Sequence, residues 1–373
     1  MIKIGIIGHK EVPSYNGGIE AVLTEMIPLF KEQDVELTIY NRWTTFYKIS
    51  EWKNKQEYAG FKIVRIPTFN KSFLNAFVYS VLASIHAAFS SYDIVHYHAE
   101  GPSAMSWIPK ITKKKIICTN HGLDWDRSKW GGFATKYLKF GEKISATQSD
   151  ILIVLSDNIS EYFKNTYNKN TTLIRNGINI NSRIAPQLIY DLGVNPQEYY
   201  LAVGRIVPEK GFHYLIDAFS KLDTNKKLVI AGGLTDSEYC LQLQEQAKNN
   251  KNIIFAGFVD GDLKKELFSN SFAYVIPSDL EGMSISLLEA LSYGCNVIAS
   301  DISENKNICD EYISFFKQGN VDSLVDELRN VKPHNKESMK NQIKFIEDHY
   351  DWKHIVSETT EIYKRVVADD RQN

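Results

Sequence analysis

Short apolar runs rich in valine and isoleucine alternate, along almost the whole chain, with stretches whose apolar residues recur three or four apart. The first kind predicts buried strands and the second predicts helices. Strands are expected at 2–8, 35–41, 61–67, 93–98, 115–120, 151–155 and 171–175, then at 199–204, 227–231, 252–256, 271–276 and 296–300. Regular strand–helix–strand succession is the pattern of parallel βαβ units, so the expected fold class is α/β with parallel sheets. Between the two series, 176–198 has Asn, Pro and Gly and little periodicity; a linker is expected there, with the second domain beginning near Tyr199. The tail from Asp351 to Arg365 reads as a helix with Trp352, Ile355, Ile362, Tyr363 and, just beyond, Val366 apolar, preceded by a solvated helix and connection between Asn330 and Lys344.

Between Lys71 and Asp93 no side chain is fully charged, and Phe73, Leu74, Phe77, Val78, Val81, Leu82, Ile85 and Phe89 are apolar. A spanning helix needs about 20 predominantly apolar residues, and Ser72, Asn75, Tyr79, Ser80, Ser84, His86 and Ser90 interrupt this one. The spacing predicts a helix buried against a sheet rather than a membrane span.

A length of 373 residues exceeds what one hydrophobic core usually serves, which supports two domains. Lys plus Arg number 43 against 45 acidic residues, a net charge of −2, so a general nucleic-acid binder is not expected. The four cysteines, Cys118, Cys240, Cys295 and Cys309, are widely separated and lack metal-ligand spacing. They are expected to be reduced thiols of a cytoplasmic protein. The opening Met1-Ile2-Lys3-Ile4-Gly5-Ile6-Ile7-Gly8 reads as a strand without a basic n-region, so export is not expected.

The strongest chemical pattern is Glu281-Gly282-Met283-Ser284-Ile285-Ser286-Leu287-Leu288-Glu289, directly after an apolar run. It places Glu281 in the loop after a strand and Glu289 two helical turns along the following helix. Free N–H groups at Gly282, Met283 and Ser284 would seat an anion at the carboxyl end of the sheet, and the carboxylates would accept hydroxyls on either side. A ligand with sugar, diphosphate and ribose in a row suits this arrangement. In Gly204-Arg205-Ile206-Val207-Pro208-Glu209-Lys210-Gly211 two cations stand five residues apart where a strand gives way to a helix. Arg205 in a bidentate fork and Lys210 as a point charge would neutralise a diphosphate without a metal; a surface pair of Arg205 with Glu209 is the plain alternative.

In the first half, Gly17-Gly18 opens a helix after the first strand and would let backbone N–H groups approach a ligand, although a plain turn explains the pair as well. The Gly-x-Gly-x-x-Gly fingerprint is absent, which argues against a dehydrogenase. His121 lies at the carboxyl end of a strand, where neutral imidazole can donate to a sugar hydroxyl or a developing oxyanion; a structural histidine is the alternative. His96 and His98 alternate on a strand without accompanying ligands, so zinc is not expected. Asp124-Trp125-Asp126 and Asp260-Gly261-Asp262 could hold a divalent cation against a diphosphate, but Asp260 and Asp262 also fall where a helix N-cap is expected.

With Gly17-Gly18, His121, Arg205, Lys210 and the Glu281–Glu289 pair in this order, the chain resembles the retaining glycosyltransferases of the GT-B fold, family four or group one. A narrower resemblance lies in His121-Gly122-Leu123-Asp124-Trp125-Asp126-Arg127-Ser128-Lys129-Trp130-Gly131-Gly132 and Tyr137-Leu138-Lys139-Phe140-Gly141-Glu142-Lys143, which is similar to the rhamnosyltransferase-like subgroup of bacterial surface-polysaccharide synthesis. The resemblance implies two Rossmann-like domains facing a cleft: 1–185 for the acceptor, joined by a helix at about 352–373 that crosses back, and 190–351 for the nucleotide sugar. It implies ribose on Glu289, diphosphate on Arg205 and Lys210, donor-sugar hydroxyls on Glu281, and Gly17, Gly18, Gly282, Met283 and Ser284 lining phosphate and sugar. His121 would join Arg205, Lys210 and Glu281 as a catalytic residue, and Asp124, Trp125 and Arg127 are acceptor candidates.

Many relatives carry Gly-Phe-Gly where this chain has Gly282-Met283-Ser284, so the donor sugar cannot be carried over. No cofactor and no metal are expected. The implied acceptor is a saccharide on a polyprenyl diphosphate at the inner membrane face. Peripheral attachment would use Lys110, Lys113, Lys114 and Lys115, or Lys48, Lys53 and Lys55 near Trp43, Phe46, Tyr47 and Trp52; a solvated lysine-rich face explains each as well. A non-catalytic nucleotide-sugar-binding scaffold and a nucleotide-sugar epimerase are the competing functions.

Overall fold

The computed structural model describes residues 1–43, 55–69, 72–123, 125, 132–235, 237–332 and 335–371. Its strands are β1 (Ile2–Ile7), β2 (Val35–Trp43), β3 (Glu57–Tyr58), β4 (Phe61–Pro67), β5 (Ile94–His98), β6 (Lys115–Asn120), β7 (Ile151–Val154), β8 (Thr172–Leu173), β9 (Tyr199–Val203), β10 (Lys227–Ala231), β11 (Ile253–Gly257), β12 (Ala273–Ile276), β13 (Val297–Ser300) and β14 (Ile313–Phe316). Every strand expected from the apolar runs forms; β3 and β14 are additional. Two sheets result, ordered β3-β4-β2-β1-β5-β6-β7-β8 and β11-β10-β9-β12-β13-β14. All pairings are parallel except β3 with β4.

Both orders reverse direction at one point, between β1 and β5 in the first sheet and between β9 and β12 in the second. Loops leaving the carboxyl ends of such a strand pair diverge and open a crevice. The segments that follow β1, β9 and β12 carry most of the chemistry read from the sequence, and His121 follows β6.

In the second sheet Leu201, Val229, Tyr274 and Val297 pack in one core while their neighbours Ala202, Ile230, Val275 and Ile298 pack in another. Helices therefore cover both faces, which explains apolar runs without polar alternation. The first sheet is filled by Ile7, Tyr40, Val95, Tyr97, Ile116 and Leu152 against Tyr79 and Phe163.

The chain divides into Met1–Gly177 with Trp352–Asn373, and Ile178–Asp351. This division falls upstream of the 185/190 boundary expected from the sequence, because most of the apparent linker is tied into the second unit. Ile178 N donates to Tyr350 O at 2.7 Å, Ile189 is fully buried, and the Glu266 carboxylate accepts the N–H groups of Gln187, Leu188 and Ile189. The closing helix Trp352–Arg371 buries Trp352, Ile355, Val356, Ile362, Tyr363 and Val366.

Of two helix expectations, one holds and gains detail, and the other needs correction. Helix Ser72–Ala88 buries only one side: Tyr79, Ala83 and Ala87 are inside, whereas Leu74, Leu82 and Ile85 are 44%, 39% and 42% exposed. Its buried side accepts polar residues because they find partners, Ser84 with Tyr97 OH at 2.7 Å and Asn75 with Arg42 at 3.1 Å. The 330–344 stretch is not wholly solvated. Within helix Lys336–Tyr350, Gln342 is buried and donates to the carbonyls of Leu291 and Cys295.

Candidate active site

At the second unit's reversal point, the loop after β9 holds Arg205 and a short turn Pro208–Lys210, and the loop after β12 holds Glu281. The two loops are tied together by Asp279 N donating to Glu209 O at 2.9 Å. Lys210 Nζ lies 2.6 Å from Glu281 Oε1, with the two side chains only 16% and 7% exposed, and Ser278 Oγ donates to the same oxygen at 2.7 Å. The Arg205 side chain is exposed, and among the described residues it has no hydrogen-bonding or ionic partner, so the pairing with Glu209 is not made. The loop after β9 thus carries an exposed guanidinium as well as the ammonium of a compact ammonium–carboxylate pair.

Helix Ile285–Ser292 begins later than the sequence suggests. Ser284 is its N-cap and accepts Leu287 N at 3.4 Å, so Gly282 and Met283 are loop residues and Glu289 stands little more than one turn into the helix. Serine competes well for the N-cap because its hydroxyl satisfies an otherwise orphaned N–H. Glu289 Oε1 is 2.5 Å from Lys264 Nζ, at 18% and 31% exposure. Between the two glutamates Tyr274 OH donates to Ser286 Oγ at 2.8 Å. Burial, with the nearby charges of Glu281 and Glu289 adding to it, pushes that phenol far up. Asp260 is the N-cap position of helix Gly261–Asn270, and Asp262 pairs with Lys265 at 2.9 Å.

In the first unit, Gly17 is the N-cap of helix Gly18–Leu29. A Cβ on Gly17 would lie 2.0 Å from Glu20 Oε2, whereas one on Gly18 would meet nothing within 4 Å. The loop between β1 and this helix is pinned from within. Asn41 accepts Val12 N at 3.0 Å, donates to Val12 O at 2.8 Å and bonds His9 Nε2 at 2.9 Å, while Glu20 accepts Lys10 N at 2.8 Å. Gly8, at φ +133°, is held by the end of β5, where a side chain would collide with His98 O at 2.1 Å. His121 Nε2 is 3.0 Å from His98 Nδ1, and His98 stacks on His96 with ring centroids 4.3 Å apart. Asn41 escaped notice in the sequence and His98 was weighed only as a metal ligand, because each acts across more than 20 residues of separation.

Of the acceptor candidates, Asp124 and Arg127 lie outside the described residues, as do Asp126, Lys48, Lys53, Phe46, Tyr47 and Trp52. Trp125 Nε1 donates to Glu142 Oε2 at 2.5 Å, and Lys139 Nζ stands 4.2 Å from the Trp125 ring centroid. Glu142, which is buried, also accepts Tyr162 OH at 2.9 Å and Tyr167 OH at 2.5 Å on its other oxygen.

Burial holds three histidines of this unit neutral. His9 falls to about 4, against the opposing pull of Glu20 and Asn41; His96 falls to about 3; and His98 is pushed well below the ordinary imidazole value. A folded-state pKa below the unfolded one means that the unfolded chain binds more protons as pH falls. The stabilising contribution is complete above pH 6.5 and declines below it, by up to about 1.4 kcal/mol per pH unit for each histidine. Urea melts from pH 8 to pH 4.5 should therefore show stability declining from near pH 6.5; a flat profile down to pH 5 would contradict the neutral cluster.

Residues 191–349 match the family described as Glycosyl transferases group 1, and residues 16–182 match Glycosyltransferase Family 4. The chain is 30% identical over 295 residues to an uncharacterized glycosyltransferase of Methanocaldococcus jannaschii, covering 73% of this chain and 75% of that one. It is 26% identical over 219 residues to the O-antigen chain mannosyltransferase of Salmonella typhimurium, covering 53% and 60%. Among solved structures, sucrose-phosphate synthase from Thermosynechococcus elongatus matches with a TM-score of 0.83 at 17% identity, covering 99% of this chain and 100% of that one. The lipopolysaccharide outer core galactosyltransferase in its apo form matches with a TM-score of 0.70 at 22% identity, covering 98% and 100%. These likenesses assign the two parallel-sheet units to the GT-B architecture.

Proposed function

Because the chain belongs to the group 1, family 4 glycosyltransferases, we propose that it transfers a hexosyl or deoxyhexosyl group, with retention of configuration, from a nucleotide diphosphate sugar to a saccharide on polyprenyl diphosphate. Its setting in this reading is bacterial surface-polysaccharide synthesis at the inner membrane face, in the cytoplasm. The observation that carries the reading is the Lys210–Glu281 pair at the reversal point of the second sheet, on the same loop that holds Arg205. The second unit receives the donor, with ribose on Glu289, diphosphate on Arg205, Lys210 and the loop N–H groups of Gly282, Met283 and Ser284, and sugar hydroxyls on Glu281. Gly17, Gly18 and His121 of the first unit line phosphate and sugar, and Trp125 receives the acceptor.

Double displacement needs a carboxylate nucleophile at the anomeric carbon. Glu281 already accepts an ammonium and a hydroxyl on one oxygen, which suits it to hold hydroxyls rather than to attack. The reaction in this reading is a front-face substitution: the acceptor oxygen bonds to the anomeric carbon on the side from which the diphosphate departs. The acceptor's proton passes to a departing diphosphate oxygen, and Arg205 and Lys210 stabilise the charge that develops there without a metal.

The test is an NMR assay of nucleotide release and product anomeric configuration with lipid-linked saccharide acceptors. Retained configuration with acceptor-dependent release is expected. Inversion would reject the mechanism, isomerised donor without acceptor would indicate an epimerase, and donor binding without release would indicate a scaffold.

Among the described residues no helix is long and apolar enough to cross a membrane. Peripheral attachment draws support from one corner of the first unit, where Thr112 Oγ1 donates to Ala88 O at 2.9 Å and so brings two helix ends together. Phe89 and Ile111 are 84% and 72% exposed there, beside exposed Lys113 and half-buried Lys114. Apolar side chains flanked by lysines suit an anionic bilayer surface. Sedimentation with anionic liposomes should exceed that with neutral ones, and Lys113→Glu with Lys114→Glu should remove the difference; equal sedimentation of the parent protein with both would dismiss the patch.

A further inference from the structure

At the carboxyl end of β5 the two ring nitrogens of buried His98 have different surroundings. Nδ1 lies 3.0 Å from His121 Nε2, whereas Nε2 is sealed from solvent and has no hydrogen-bond partner among the described residues. The ring is clamped: one face stacks on His96, which is itself fixed by Tyr363 OH at 2.8 Å on Nδ1 and Thr119 Oγ1 at 2.7 Å on Nε2. Burial, followed by the neighbouring His96, His121 and His9, keeps His98 neutral, so it carries a single proton.

That proton has two possible seats. On Nε2 it would be a buried N–H with no acceptor, and Nδ1 would have to accept from His121. On Nδ1 it is donated to His121, and only a lone pair is left unused. Orphaned buried N–H groups are rarer than under-used acceptors, and an unmade donor bond carries the full desolvation cost. We propose that His98 is a positioning residue that donates its Nδ1–H to His121 Nε2 and thereby fixes His121 as the Nδ1–H tautomer.

This inference rests on the reading of His121 as a ligand-facing group, and it specifies what that group offers. A ligand oxygen reaching Nδ1 of His121 meets a hydrogen-bond donor, suited to a sugar hydroxyl oxygen or to negative charge developing on the leaving group. The Nε2 lone pair is occupied by His98, so His121 does not take the acceptor's proton through Nε2. The second ring nitrogen of a functional histidine commonly sets which tautomer the first presents; here the partner is another histidine.

Long-range 15N–1H correlation spectra of protein labelled in its nine histidines report each ring's tautomer directly, and His121 is assigned by the signal lost in His121→Gln. The expected result is an Nδ1–H pattern for His121 and for His98. In His98→Leu the His121 pattern should shift toward Nε2–H and turnover should fall at least tenfold. His98→Asn, whose amide nitrogen occupies the place of Nδ1, should restore the pattern. An Nε2–H pattern for His121 in the parent protein would overturn the proposal, and this spectrum decides even if His98→Leu fails to fold. An Nδ1–H pattern combined with full activity of His121→Gln would instead leave the tautomer assignment intact and reject the functional reading of His121.

Discussion

Arg205→Ala is expected to cut turnover roughly a hundredfold while leaving the melting temperature where it is. The guanidinium is exposed and, among the described residues, unpaired, so the folded state loses no hydrogen bond or ion pair there when it is removed. A preorganised cation at a departing diphosphate contributes about 3 kcal/mol to the transition state, which is roughly two decades in rate. Lys210→Ala should lower turnover to a similar degree, but its effect is mixed. It strands the Glu281 carboxylate, 7% exposed, with Ser278 as its remaining recorded partner, and should therefore also lower the melting temperature. Steady-state turnover at saturating donor, set beside a thermal melt of each variant, separates the two effects. Near-normal turnover of Arg205→Ala would remove it from the mechanism.

The second large effect is structural. Glu142→Ala removes the buried acceptor shared by half-buried Trp125, Tyr162 and Tyr167. A hydrogen bond to a charged acceptor contributes about 1.5–3 kcal/mol and water can replace part of it at half-buried donors, so a total loss on the order of 3 kcal/mol is expected. For a unit of about 200 residues this corresponds to a fall of roughly 6–12 °C in the transition temperature. Glu142→Gln keeps one acceptor oxygen and should fall less. A melt of Glu142→Ala within about 2 °C of the parent would show that the three donors find other partners.

The strands and the loops that carry chemistry were legible because local signals specify them. Uniform apolar runs mark strands covered on both faces, and Glu281, Arg205 and Lys210 each directly follow such a run. The strand β14 was missed because Ile313-Ser314-Phe315-Phe316 is short and mixed, and β3 because two residues carry no period. The ion pair of Lys264 with Glu289, the pinning of the glycine loop by Asn41 and the hub at Glu142 left no trace in the sequence. Their partners stand 25, 29 and 17–25 residues away on other elements. Ser278, three residues before Glu281, was close enough to be read and was not. The helix after Glu281 was placed too early because the capping capacity of Ser284 was weighed as ligand binding rather than as helix initiation.

The central claim is that the second unit holds a nucleotide diphosphate through Arg205, Lys210 and Glu289 without a metal. It is tested most directly by thermal melts in EDTA with UDP, GDP, dTDP or CMP, because a ligand that binds only the folded protein stabilises it by about 2.7 kcal/mol at a hundredfold excess over Kd. One diphosphate nucleotide should raise the melting temperature by several degrees, and Arg205→Ala and Glu289→Ala should each remove most of that rise. No rise with any nucleotide, or a rise that appears only with added Mn²⁺, would contradict the account.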